Sequence, residues 1–111
     1  MLKNSYEKRS NIFKALAHPT RLFIIDKLSE KECCVCEFVN ELKVDFSTVS
    51  KHLSVMKNAG LIADEKRGQQ VFYKLQMHCV SIFNRCIDNF LSNSSTDEKA
   101  CLECSRSGEN E

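Results

Sequence analysis

The stretch Ser47–Ile62, STVSKHLSVMKNAGLI, decides the fold. Within it Val49, Leu53 and Met56 recur at helical spacing, which predicts a helix with one buried stripe. The small polar and basic residues between them are left largely on the other side of that helix. Gly60 follows as a residue suited to the left-handed conformation that ends many helices. The stretch therefore predicts an amphipathic helix with a polar outer face.

A short helix is predicted immediately upstream, opening at a cluster of cysteines and running to about Leu42. Its apolar side carries Phe38, Val39 and Leu42. Asp45 is a plausible N-cap for the next helix, because its carboxylate can accept hydrogen bonds from the free amides of the first turn. Only a very tight turn around Lys43–Asp45 is then left to join the two helices.

Two more helices are predicted towards the N-terminus. Residues 5–17 have amphipathic spacing, and Pro19 suits the first position of a second helix with His18 at its cap. In the second helix, three apolar residues recur at helical spacing and are expected to face the core. They are Leu22, Ile25 and Leu28.

After Gly60 the apolar period changes from helical to alternating, which indicates two strands. They are joined around Arg67-Gly68-Gln69, with glycine at the turn. A last helix is expected from about Met77 to Leu91, with a broad apolar stripe. The stripe is formed by Cys79, Ile82, Phe83, Cys86, Ile87 and Phe90.

Strongly apolar helices at both ends of so small a domain suggest that they pack together and form a homodimer. Residues 1–92 are expected to form one domain, followed by a polar, disordered tail over 93–111. No run is long enough to span a membrane, and the polar start lacks the apolar core of a secretory signal. A cytoplasmic location follows, in which thiols stay reduced.

Four helices, a hairpin and a final helix form the order of a winged helix-turn-helix, a mainly α fold with a β-hairpin wing. A helix with small polar and basic residues can enter the major groove of double-stranded DNA, and a hairpin tip can reach the backbone beside it. The predicted DNA contacts are Ser47, Thr48, Ser50, Lys51 and His52 on the helix, and Lys66, Arg67, Gln69 and Gln70 on the hairpin.

Three segments then carry a specific resemblance: KALAHPTRLFIIDKL, STVSKHLSVMKNAGLI and KRGQQVFYKL, in this order and spacing. They resemble the ArsR/SmtB family of metal-responsive bacterial repressors over about residues 10–91. The resemblance implies a dimer of winged-helix subunits, joined through the first and last helices. It also implies operator binding without effector and release when the effector binds, with no enzymatic activity.

The zinc site that some family members carry in the last helix is not expected here. Aligned by its spacing, that site reads Gln76, His78, Asn89 and Ser92, which keeps a single histidine. A zinc site needs about four N, O or S ligands. We therefore interpret His78 as a surface or helix-start residue.

Cys34-Val35-Cys36 resembles the sensing stretch of the arsenic- and antimony-responsive members, whose frequent third cysteine is replaced here by Val39. Trivalent arsenic is soft and takes up to three thiolates. The resemblance thus implies arsenite or antimonite as effector, bound by Cys34, Cys36 and the added neighbour Cys33. The tail pair Cys101 and Cys104 could supply further thiols.

Several alternatives stay open. The position at a helix start is expected to lower the thiol pKa and keep the cluster accessible, which would also suit a redox or sulfide sensor. A cadmium- or lead-responsive repressor is a further alternative. Cys79 and Cys86, seven positions apart on the apolar stripe, are interpreted as small buried hydrophobic residues. A thiol oxidoreductase using Cys101 and Cys104 is disfavoured, since no βαβ pattern surrounds that pair.

Overall fold

The computed structural model describes residues 2–92 of the chain. The Cys101–Cys104 pair and the predicted polar tail lie outside these residues. The order of elements confirms a mainly helical winged helix-turn-helix. The elements are α1 (Leu2–Leu16), α2 (Pro19–Glu30), β1 (Cys33–Cys34), α3 (Val35–Leu42), α4 (Phe46–Asn58), β2 (Ile62–Arg67), β3 (Gln70–Leu75) and α5 (Cys79–Ser92).

The core is built on α4, whose stripe of Val49, Leu53 and Met56 is completely buried, as predicted. In α2 the prediction is right for Ile25 and Leu28 but wrong for Leu22, which is 36% exposed. Ile24 is buried in its place. At 3.6 residues per turn, Leu22 lies about 110° around the helix from the centre of the buried stripe, so it cannot share that face.

The connection between α3 and α4 is the predicted tight turn. Lys43 ends α3 in the left-handed conformation, with φ of 57°. Asp45 occupies the N-cap of α4. Its carboxylate accepts hydrogen bonds from the Ser47 and Thr48 hydroxyls, at 2.5 Å each, in place of the expected bonds from backbone amides.

The end of α4 leads directly into the hairpin. Gly60 has φ of 87°, and the Leu61 N–H donates to the Met56 carbonyl at 3.0 Å, which satisfies the end of the helix. The Leu61 carbonyl in turn accepts from the Gln76 and Met77 amides at 2.9 and 3.0 Å. The base of the hairpin is thereby tied together, while its far end is the two-residue loop Gly68-Gln69.

The structure adds a strand that the sequence pattern did not predict. β1 pairs antiparallel with β3, so the sheet has the order β1-β3-β2. Cys33 lies opposite Tyr73 and Cys34 lies opposite Phe72. The first two cysteines are therefore part of the sheet that forms the wing, and α3 begins only at Val35.

The chain divides into two compact units, and α5 belongs to the second, which begins at Cys79. Considered alone, α5 exposes large apolar side chains. They are Ile82, Phe83, Ile87, Phe90 and Leu91. Cys79 is also exposed, so its interpretation as a buried hydrophobic residue is wrong, because Val80 and Ser81 form the buried part of the helix. Within residues 2–92 no helix combines the length and apolarity needed to cross a membrane.

Candidate DNA-reading surface and cysteine site

The outer face of α4 carries most of the predicted DNA contacts in exposed positions. Ser47, Thr48 and Lys51 are exposed, and Ser50 is half-buried. The hydroxyl bonds from Ser47 and Thr48 lower the pKa of the Asp45 carboxyl, since they stabilise its charged form. While both hydroxyls donate to Asp45, their oxygens remain able to accept hydrogen bonds from donors on the bases.

His52 does not share this exposed face, although it was predicted as a DNA contact. It is half-buried, and its Nδ1 accepts a hydrogen bond from Arg21 Nε at 3.0 Å. Its ring lies 4.5 Å from that of His18, which caps α2 by accepting from the Thr20 amide at 3.1 Å. Burial lowers the pKa of His52, with smaller contributions from His18 and Arg21. His52 therefore links α4 to the start of α2.

The wing exposes Lys66, Arg67, Gln69 and Gln70, the four residues predicted to contact DNA. Arg67 is already engaged within the protein. Its Nη2 lies 2.5 Å from a carboxylate oxygen of Glu32 and 2.9 Å from one of Glu65. Its guanidinium also lies 5.0 Å from the centre of the Phe72 ring.

The cysteine segment, residues 33–36, has a buried side and a side that faces a cavity. Cys33 is completely buried, and its Sγ donates to the Lys31 carbonyl at 3.5 Å. Burial raises the pKa of Cys33, and the nearby Glu37 carboxylate raises it further. The expectation of an accessible thiol with a lowered pKa is therefore wrong for Cys33. The reason is β1, because adjacent side chains of a strand point to opposite faces.

Cys34 and Cys36 lie together and are joined by a disulfide, with their Cα atoms 5.4 Å apart. This separation is within the usual range of about 4.4–6.8 Å. Cys34 is 6% exposed and Cys36 is exposed. The Cys34 amide donates to Glu37 at 3.1 Å, and Lys31 Nζ lies 3.1 Å from the same carboxylate. Both contacts lower the pKa of Glu37.

The two bonded cysteines border a cavity of about 260 Å³ between the wing, the start of α4 and the cysteine segment. Residues predicted to contact DNA, from both α4 and the wing, also line this cavity. Its lining residues are Cys34, Val35, Cys36, Phe46, Ser50, Gln69, Gln70, Val71 and Tyr73. A ligand held by the cysteines would therefore touch the side chains that are expected to read DNA.

Cys33 is not among these lining residues. Across residues 2–92, no cluster of three or more His, Cys, Asp or Glu side chains is suitably placed to hold a metal ion. The site therefore offers two sulfur atoms from the described part of the chain, where the sequence predicted three.

Sequence reasoning missed two contributors to this surface. Phe46 is 63% exposed at the first position of α4. An apolar residue at an otherwise polar helix start was the signal in the sequence that could have identified Phe46 as part of the cavity lining. Glu32 gave no such sign, because its partner Arg67 is 35 positions away in the chain.

Comparison with known proteins agrees with this architecture. Residues 18–64 match the model of the bacterial regulatory protein arsR family. The arsenical resistance operon repressor of Staphylococcus xylosus is 31% identical over 105 residues, which are 95% of this chain and 98% of that repressor. The chain belongs to the ArsR family.

Two further relatives place it within that family. The arsenical resistance operon repressor of Escherichia coli K12 is 38% identical over 78 residues, 69% of this chain and 67% of that repressor. The structure of HlyU from Vibrio cholerae superposes with a TM-score of 0.69 at 33% identity, covering 78% of this chain and 94% of HlyU. This ArsR-family chain is therefore a DNA-binding transcriptional repressor and not an enzyme.

Proposed function

We propose that the protein leaves its operator when a trivalent arsenical or antimonite binds Cys34 and Cys36. The observation that carries this proposal is the shared cavity, in which these cysteines meet Ser50 of α4 and Gln69 and Gln70 of the wing. An effector can shift the DNA-bound form only through a difference in affinity between the two forms. A ligand in contact with both reading elements has a direct means of producing that difference.

The donor atoms suit a soft trivalent ion. Thiolates are the side chains that bind such ions best. A pair that is close enough to form a disulfide is, after reduction, close enough for one ion to bridge. With arsenous acid, the two thiols would replace two hydroxyl groups and release two water molecules. Because Cys33 lies in the core, the third position would hold hydroxide or a thiol of Cys101 or Cys104.

The printed names of two relatives also support this effector. The repressors from Escherichia coli and Staphylococcus xylosus are both named for arsenical resistance. The target of the present protein would then be a resistance operon in the cytoplasm.

The active form would be a homodimer joined through α1 and α5. Both helices expose large apolar side chains, which are Tyr6 on α1 and Ile82, Phe90 and Leu91 on α5. Exposed apolar surface of this size is typical of a protein interface. A two-fold dimer would place two copies of α4 in successive major grooves, about 34–36 Å apart.

Replacement of both bridging cysteines tests the proposal. Cys34→Ser/Cys36→Ser should bind operator DNA like the reduced wild type and should no longer be released by arsenite. Fluorescence anisotropy of labelled DNA, titrated anaerobically without a dithiol reductant, measures both properties. Cys79→Ser removes an exposed thiol from α5 and is the matched control, which should respond like wild type. Arsenite release of the double variant would contradict the proposal.

A redox sensor is the second candidate, and the disulfide between Cys34 and Cys36 favours it. In this case two thiols lose two electrons and two protons to an oxidant, and no ion is bound. Diamide, which accepts the electrons and protons as it becomes a hydrazine, should then release DNA without arsenite. Mass spectrometry should locate the bond between Cys34 and Cys36. Release of DNA by antimonite, cadmium or lead, measured with the same cysteine variants, shows which of these ions acts as the effector.

A further inference from the structure

Glu32 joins the cysteine segment to the wing. It immediately precedes Cys33, and its carboxylate lies 2.5 Å from Arg67 Nη2 on β2. Both side chains are exposed, Arg67 by 44% and Glu32 by 41%. The contact connects the segment expected to bind the effector with an arginine expected to bind DNA.

The sheet reinforces this connection. β1 is paired with β3, and Phe72, the partner of Cys34, also pairs with Glu65 of β2. Arg67 lies over the ring of the same Phe72. Cys34 is therefore paired with a residue that is in direct contact with Arg67.

The other side of the segment is fixed to α3. Glu37 accepts from the Cys34 amide and pairs with Lys31, the residue before Glu32. Bridging Cys34 and Cys36 connects β1 covalently to the first turn of α3. The bridge therefore restrains the conformation of the segment that directly follows Glu32.

The state of Arg67 matters because arginine is the side chain best suited to phosphate oxygens. In this structure, with Cys34 and Cys36 bridged, two carboxylates compensate its charge. We propose that Glu32 is a positioning residue for release: when Cys34 and Cys36 are bridged, it holds Arg67 away from the DNA backbone. The proposal rests on the proposed regulation through these cysteines.

The two carboxylate partners of Arg67 provide a matched pair of variants. Glu32→Gln removes the partner next to the cysteine segment, and Glu65→Gln removes the partner on the wing itself. Operator affinity is measured for each variant in the reduced form, after diamide oxidation and with arsenite. Glu32→Gln should raise the affinity of the bridged form about two- to fivefold and that of the reduced form less than twofold, so release becomes weaker. Glu65→Gln should raise the operator affinity of the reduced and bridged forms by the same factor and leave the ratio of the two affinities unchanged.

The salt dependence of binding gives a second readout, which a merely structural role of Glu32 would not change. Each phosphate contact contributes about 0.9 to the slope of log K against log salt concentration. The oxidised Glu32→Gln protein should therefore gain about one contact over oxidised wild type. An unchanged slope, or an equal loss of release in Glu65→Gln, would overturn the proposal. If neither diamide nor arsenite releases the wild-type protein from DNA, the proposed function fails. The salt slope of the oxidised Glu32→Gln variant still decides whether Glu32 keeps Arg67 from contacting a phosphate.

Discussion

The two DNA-facing elements, α4 and the wing, are held in different ways. α4 is fixed from behind by the fully buried Val49, Leu53 and Met56, and its outer hydroxyls bond only to the cap of their own helix. The wing is tied at its base, and Arg67 near its tip is held by Glu32 from another part of the chain. One element is part of the core, and the other extends from it.

This difference assigns separate tasks to the two elements. A helix whose inner face is close-packed can present base-reading side chains in one position, but a small displacement of it would disturb the core. The far end of the hairpin is exposed and contacts Glu32, next to the cysteine segment, so a displacement there would disturb the core less. Under the proposed regulation, α4 would supply DNA binding that the effector leaves unchanged, and the wing would supply the part of the binding that the effector removes.

The largest expected effect tests how firmly α4 is fixed. Leu53→Ala should lower the free energy of unfolding by about 2–5 kcal/mol, because it leaves a cavity in a fully buried position. Urea denaturation followed by circular dichroism measures the loss. Val55→Ala is the matched control on the same helix, since Val55 is 36% exposed, and its effect should be well under half as large. Equal losses of unfolding free energy in the two variants would mean that α4 is not fixed by its buried face.

A tenfold effect on binding should come from the outer face of α4. Lys51→Ala should weaken operator binding about tenfold at 0.1 M salt and reduce the salt slope by about one, as the loss of one phosphate contact would. Unlike Glu32→Gln, it should weaken the reduced and bridged forms equally. Lys57→Ala removes a lysine of the same helix that pairs with Asp64 at 3.0 Å, and its salt slope should stay unchanged. If Lys51→Ala altered the release ratio, the division of tasks would be wrong.

The smallest effect concerns the contact of α4 with α2. Because burial lowers the pKa of His52 in the folded protein, the unfolded chain binds more protons below about pH 6.5. The stabilising contribution of neutral His52 is therefore present above that pH and is lost as the pH falls through its lower folded pKa. Thermal unfolding between pH 7.5 and 5 should show this loss.

His52→Gln should make the melting temperature less dependent on pH over this range. Ser54→Gln places glutamine at an exposed position of the same helix and should retain the wild-type dependence. An unchanged dependence in His52→Gln would mean that the titration of His52 does not cause the loss of stability.

Local spacing was a sufficient guide to most elements, although it placed Leu22 on the wrong face of α2. The stripe of α4, the cap at His18, the tight turn and the hairpin loop all follow from residues within a few positions of each other. The features that escaped prediction depend on partners far along the chain. β1 exists because Cys33 and Cys34 meet Tyr73 and Phe72, and no two-residue strand can be read from its own residues.

The candidate site shows the same limit. The closeness of Cys34 and Cys36 follows from their spacing, but the burial of Cys33 depends on the direction of a strand that the sequence did not reveal. His52 was placed on the correct helix, but its contact with Arg21 was not predicted, because Arg21 is 31 positions away. Ligand number and side-chain orientation were therefore the least predictable properties.

The place of β1 in the sheet has a consequence for how such a repressor can diversify. It is an outer strand of the order β1-β3-β2, where a change of side chain disturbs one neighbouring strand instead of two. Cys33 lies in the core and Cys34 lines the cavity, so adjacent residues of one strand have different surroundings. Under the proposed regulation, exchange of Cys34 or Cys36 for other ligating residues is expected to change the inducer and to leave the operator unchanged.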